Sequence, residues 1–439
     1  MSNPATRRRW LLWGVLAAGF LLVNFHRVST AVLSGPLAST FDTTGAELGF
    51  LHASFFYIYA ALQLPSGLLV DRYGPRNVAS AGLLVMSAGA VGFALSPSFA
   101  VGFAARAVVG LGGSVLYTAT LRFLANWYRP DEFATMTGWT VAAAGLGGVL
   151  ATTPLAIAVD ATDWRVATGI AAAAGFLFTL AVYLLVRDRP SEAGFEPIDG
   201  VSPPEGAPDL PTVVENTKAV LTERETWLMG GLLFFTIGTN FTVLGLWGVP
   251  YLVDLYPIGV GAASGYVLLG NLGLLTGSPV IGALSDRIGR RTPLIVASVV
   301  VFVLAYGLVF LTVRPPLIVF GLTLFVAQFV TGGTLLSYTV AKERHSSTAS
   351  GTVTGLINGI GYFGAAVFPA AMGAALDAYW TGDLVDGARS YTAAGYRVAF
   401  GIAVAAGLVA LVCAVWLHLR VHRETAPEGG AGGVPSVDD

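Results

Sequence analysis

The sequence predicts an all-α membrane protein: twelve transmembrane helices in two pseudo-symmetric six-helix bundles. Three observations predict it. Of the 439 residues 54% are apolar and 11% charged, whereas a soluble domain carries ~25% charged residues. Apolar stretches long enough to cross a ~30 Å hydrocarbon core recur along the chain. The second half of the chain also repeats elements of the first.

The stretches run over 10–36, 46–70, 78–96, 99–127, 132–159, 164–187, 227–254, 261–284, 293–312, 315–341, 349–379 and 393–419. Each is too long for a barrel strand, and in lipid the backbone must satisfy its own hydrogen bonds, so all are helices. Span 1 follows Arg7, Arg8 and Arg9, stays apolar beyond the length of a signal peptide and is followed by another span. Spans 2 and 8 run into basic loops, DRYGPR and DRIGRR. After span 6 the chain becomes rich in Pro, Gly and acid from 188 to 226, the composition of a solvated linker. Two bundles, 1–187 and 227–420, are therefore expected to flank a linker, with 421–439 expected as a flexible tail.

Seventeen of the 24 Lys and Arg residues fall on one side if the chain crosses twelve times, four fall on the other and three lie within spans. By the positive-inside rule both termini are expected in the cytoplasm of a cell-membrane protein. Cys413 is alone, so no intrachain disulfide can form. Nothing predicts a metal, a cofactor or nucleic-acid binding. The Gly-rich run Gly110–Gly113 lacks the lysine and strand context of a phosphate cradle, and no enzyme is expected.

GLLVDRYGPR, Gly67 to Arg76, recurs as GALSDRIGRR, Gly282 to Arg291. In spans 5 and 11, Thr137, Gly138, Gly147 and Asp160 recur as Thr354, Gly355, Gly364 and Asp377. Two facing repeats place a site between them. The repeated G-x-x-x-D-R-x-G-x-R resembles the hallmark of the major facilitator superfamily, and RAVVGLGG, Arg106 to Gly113, is similar to a second motif of that family. The resemblance covers about Trp10 to Arg420 and implies a monomeric alternating-access transporter in the lipid bilayer. It makes the two loops a cytoplasmic gate, built from Gly67, Asp71, Arg72, Gly74 and Arg76 and from Gly282, Asp286, Arg287, Gly289 and Arg290. Physically, Asp71 and Asp286 suit helix N-termini and the arginines around them.

Arg27 shares a helical stripe with Asn24, Thr30 or Ala31, and Ser34, so it belongs to a polar face directed into the bundle. Span 1 also resembles the anion:cation symporter branch of the superfamily, whose first helix carries N-Y-x-D-R; here His26 replaces the acid. The resemblance implies that Arg27 contacts the carboxylate or phosphate of a substrate. The 26 acids fall in loops, tails or helix ends by these spans, leaving no intramembrane carboxylate for Arg27 or Arg106. The missing counter-charge is then a small anionic substrate, a carboxylate-type organic anion being favoured. A co-transported proton, or another ion, would rely on His26 or His52, with Arg106 as a coupling or bracing residue.

Arg122 is a candidate second anion contact. Asn24, Tyr57 and Gln63 in the first half, and Asn240, Trp247, Gln328 and Tyr338 in the second, complete the expected site, with Tyr59 a further polar residue on span 2. The alternatives are a nitrate-type transporter, though span 2 lacks the expected arginine, a drug/proton antiporter, though span 5 lacks a Gly-Pro pair, and a non-transporting anion sensor. If the motif loop is a gate, Asp71→Asn should raise cysteine accessibility in that loop. Unchanged labelling together with unchanged transport would reduce the motif to a topology signal.

Overall fold

The computed structural model of the protein describes residues 4–196, 198–201, 210–345 and 347–425. Among these residues eleven helices are long and apolar enough to cross a membrane, and the pair Gly45–Ala61 and Gln63–Tyr73, meeting at 54°, makes a twelfth span. Local chemistry sets several boundaries. Thr44 and Glu47 form a capping box at the start of span 2. Pro75 occupies the first turn of span 3. Gly74 and Gly289, at matching places in the two repeats, adopt φ of +79° and +68°, backbone that favours glycine.

Spans 1, 4, 7 and 10 are each interrupted. Span 1 breaks between Pro4–Val28 and Thr30–Phe41, and span 4 between Phe99–Gly113 and Leu116–Trp127. Span 7 contains a π-helical segment, Val243–Trp247, and span 10 runs as Leu317–Phe329, Thr331–Thr334 and Leu336–Arg344. The break at Ser29 and the π segment occupy equivalent places of the repeat, since position 242 is the mate of position 27. Irregular backbone at membrane depth is tolerated where it is enclosed by protein or lines a cavity.

The way the apolar core divides shows how the halves meet. One cluster joins both halves on the side opposite the termini and includes Val32, Leu48, Trp164, Leu246, Phe320 and Met372. On the terminus side the halves are built mainly around separate clusters, one containing Leu16, Phe123 and Trp127, the other Met229, Ile295 and Val340. On the shared side spans 2 and 11 touch backbone to backbone. A side chain at Gly49 would come within 2.4 Å of the Pro369 carbonyl, and one at Gly373 within 2.1 Å of the Gly45 carbonyl. Asp377, at the end of span 11, accepts hydrogen bonds from the N–H groups of Gly45 (2.7 Å) and Ala46 (2.8 Å) and lies 3.4 Å from Arg389. A carboxylate of the second half thus caps a helix of the first, where the dipole favours it.

Two elements depart from the expected loops. The stretch after span 11 is a hairpin, Trp380–Val385 paired with Ala388–Tyr391, a small addition to the helical fold. Its turn residues Asp386 and Gly387 both have positive φ, as a two-residue type I′ turn requires. The linker contains a helix, Leu210–Thr222, with Val213 and Val220 buried two turns apart; Val220 joins the core of the second half.

Asp377→Ala should remove two charge-assisted hydrogen bonds between the halves and lower stability by roughly 1.5–3 kcal/mol. A cysteine placed at buried Thr43 should label faster in this variant; unchanged labelling and unfolding would mean that Asp377 does not hold the halves together.

Candidate functional site: a cavity between the two halves

A cavity of about 180 Å³ lies between the halves, bordered by spans 1, 2, 4 and 5 of the first and 7, 8, 10 and 11 of the second. Among the described residues, the charged residue in its lining is Arg27. The side chain is 4% exposed, and its Nε and Nη2 have no hydrogen-bond partner. Aromatic rings hold it instead: the guanidinium carbon lies 4.3 Å from the ring centre of Tyr59 and 4.9 Å from that of Tyr362. One ring comes from each half. Cation–π contact of this kind contributes ~0.5–2 kcal/mol but leaves the N–H donors unsatisfied.

The remaining lining is neutral. Asn24 donates to the Ala144 carbonyl at 2.7 Å and ties span 1 to span 5. Asn240 accepts from the Tyr306 hydroxyl and donates to Thr331, both at 2.7 Å. The Tyr338 hydroxyl donates to Asn358 Oδ1 at 2.5 Å, and Asn358 donates to Gln63 Oε1 at 2.6 Å. Gln63 in turn donates to the Tyr59 carbonyl at 3.0 Å. This chain of bonds crosses from spans 10 and 11 to span 2, ending on the helix that also supplies a ring to Arg27.

The structure brings Arg27, Asn24, Asn240, Gln328 and Tyr338 into the cavity lining and links Gln63 to it through Asn358. Three expected contacts lie elsewhere. Tyr57 points away, against Phe363 and partly exposed, because the residue that faces the cavity on that helix is Tyr59. Trp247 donates to the Pro369 carbonyl at 3.1 Å and lines a second cavity, about 430 Å³, on the side opposite the termini. Ser34 lines that second cavity too, so the break at Ser29 divides the polar stripe of span 1 between two spaces. Arg122 pairs with Asp71 at 3.3 Å and does not line the central cavity.

Asn358 and Tyr362 were missed by the sequence reading. They lie four residues apart, on one face of span 11, as Tyr59 and Gln63 do on span 2. That shared spacing of an aromatic hydroxyl and an amide was the available signal.

Arg106 also lies outside the central lining. It donates to the backbone carbonyls of Leu51 (3.2 Å) and His26 (3.4 Å) and stands over the Phe93 ring, bracing span 4 against spans 1 and 2. His26 is buried beside it. His52 is fully buried, with neither ring nitrogen hydrogen-bonded, and packs on Gly245 in the π segment of the other half.

The repeated loops are built unequally. Asp71 bonds across to span 4, while the Arg76 N–H donates to Asp188 at 2.7 Å and its guanidinium to the Tyr183 carbonyl. Arg72 lies near the Tyr73 ring. In the second copy Asp286 pairs with Arg291 at 2.6 Å, the residue aligned with Arg76, and Arg291 also reaches Glu343, whereas the expected gate set had Arg290 in that place. No ion pair to Arg287 or Arg290 is found among the described residues. Side chains at Gly67 or Gly282 would meet open space, which fits the divided core on this side.

The Major Facilitator Superfamily profile matches residues 8–369. Among curated proteins, the chain is 24% identical to a "Probable hexose phosphate transport protein" of Chlamydia pneumoniae over 87% of its own length and 89% of that protein's. It is 26% identical to the gentisate transporter of Corynebacterium glutamicum, covering 81% and 77% of the two chains. Among solved structures, a bacterial homologue of the human lysosomal transporter Spinster superposes with a TM-score of 0.73 at 18% identity, covering 96% of this chain and 98% of the other. With this coverage and the shared architecture, the chain belongs to the major facilitator superfamily of membrane transporters.

Proposed function

We propose that the protein moves a small organic anion across the cell membrane by alternating access, with both termini in the cytoplasm, and that Arg27 is the anion's principal contact. The observation that carries this reading is the guanidinium in the central cavity: buried, stacked on Tyr59 and Tyr362, and without an ion-pair partner among the described residues. A charge within a membrane span costs at least ~2.5 kcal/mol even on insertion scales, and such residues mark transport pathways. A carboxylate or sulfonate would satisfy the donors left over. The transported classes named for the relatives, a hexose phosphate and gentisate, are anionic and support the same class here.

In this reading the conformation is closed on the outer side, where the core is shared, and the motif loops form the gate on the cytoplasmic side. Proton coupling is a second component of the proposal. It is supported by His52, whose unpartnered ring sits between the halves where their separation would admit water.

Binding of gentisate, a monocarboxylate, to purified, folded protein tests the anion contact. Arg27→Lys and Arg27→Ala should each weaken the bound anion at least ~10-fold, about 1.4 kcal/mol, because lysine keeps the charge but not the planar fork. Affinity within about twofold of the parent protein would remove Arg27 from the binding role. For coupling, His52→Gln should abolish uncoupler-sensitive accumulation in vesicles while leaving exchange down a gradient intact. If His26→Gln and His52→Gln both retain full pH-dependent accumulation, histidine is not the coupling group.

A further inference from the structure

The two unpartnered atoms of Arg27, Nε and Nη2, lie along one edge of the guanidinium. That edge presents two parallel N–H donors, spaced to receive the two oxygens of one carboxylate or sulfonate. The rings of Tyr59 and Tyr362 stand over the group, and in this conformation the Nε and Nη2 edge is itself shielded, so an incoming carboxylate must part its neighbours to reach it. Among the described residues no second charged side chain lines the cavity. The neighbouring cations are committed elsewhere, Arg106 to the carbonyls of Leu51 and His26 and Arg122 to Asp71. Across the cavity stand Asn240, Gln328, Thr331, Tyr338 and Asn358, which can hydrogen-bond a hydroxyl or carbonyl but supply no charge.

From this arrangement we infer that the cavity selects monovalent organic anions, held side-on by Arg27, over dianions with the same carbon skeleton. The inference deepens the anion-carrier reading above and rests on it. One ligand charge neutralises the one guanidinium. A second charge would be buried among amides, hydroxyls and aromatic rings with no cation to pair it, a situation that strongly disfavours the ionised form. The neutral polar wall instead suits a hydroxyl, keto or amide substituent on the same molecule.

The test is a thermal-shift titration of the full chain with matched probes: benzoate against phthalate and lactate against malate, near neutral pH, where both carboxyls of the diacids are ionised. The monoanion of each pair should stabilise the protein at a concentration at least ~10-fold lower than its partner, with the shift lost in Arg27→Ala. Phthalate monomethyl ester, a monoanion on the same skeleton at the same pH, should close the gap to benzoate. Gln328→Lys, which adds a second cation to the lining, should move the preference toward the dianions; the parent protein's own ranking decides the matter if that variant does not fold. Dianions that bind as well as monoanions, with the shift still lost in Arg27→Ala, would overturn the charge selectivity while leaving the anion-carrier reading intact. Shifts with neither class, or shifts unchanged by Arg27→Ala, would overturn both.

Discussion

A cation in the middle of a membrane protein, stacked on aromatic rings but bonded to no carboxylate, is the constraint on which the rest of this structure depends. Arg27 is shielded from bulk water and meets no acid among the described residues. The surroundings moderate the penalty without removing it. Tyr59 and Tyr362 offer negative ring faces, and their position on opposite halves means that the guanidinium is fully enclosed when the two bundles approach each other. The same contact that steadies the side chain therefore links its environment to the relative position of the halves. A ligand that completes the hydrogen bonds of Arg27 would act on that linkage as well as on affinity, since a ligand shifts a conformational equilibrium by its differential binding to the two states.

The repeat supplies the frame but not the chemistry. Spans 1 and 7 are irregular at equivalent places, yet the first carries Arg27 there and the second a π segment with Thr242 at the matching position. The motif loops match in sequence, yet Asp71 pairs with Arg122 of span 4 while Asp286 pairs with Arg291 beside it. Asp160 and Asp377 are repeat mates, yet Asp377 caps span 2 whereas Asp160 lines the outer cavity. Duplication fixed the path of the backbone, and divergence of a few side chains gave the cavity one charged pole and one neutral pole.

Much of the architecture was legible because bilayer thickness imposes a length on every span. The spans, the linker and the motif turns at Gly74 and Gly289 follow from hydropathy and turn chemistry. The hairpin is encoded by Asp386-Gly387, a type I′ turn signal that is short and local beside the long apolar runs. Arg27 and Asn24 could be placed because a polar stripe in an apolar helix has few destinations. Tyr57 and Tyr59 could not be separated by composition: two residues apart on a helix, they point about 200° apart, and only packing decides which one faces inward. Trp247 and Ser34 went astray for a different reason. A helical stripe reports a face but not a depth, and here one face borders two cavities, one central and one on the side opposite the termini.

The most direct test of the central claim is to locate a bound anion by anomalous scattering, with 4-bromobenzoate diffused into crystals of the full chain. The account predicts bromine density inside the cavity between the halves, with the carboxylate along the Nε and Nη2 edge of Arg27. Density confined to the outer cavity, near Arg389, with the edge of Arg27 still unoccupied, would contradict it.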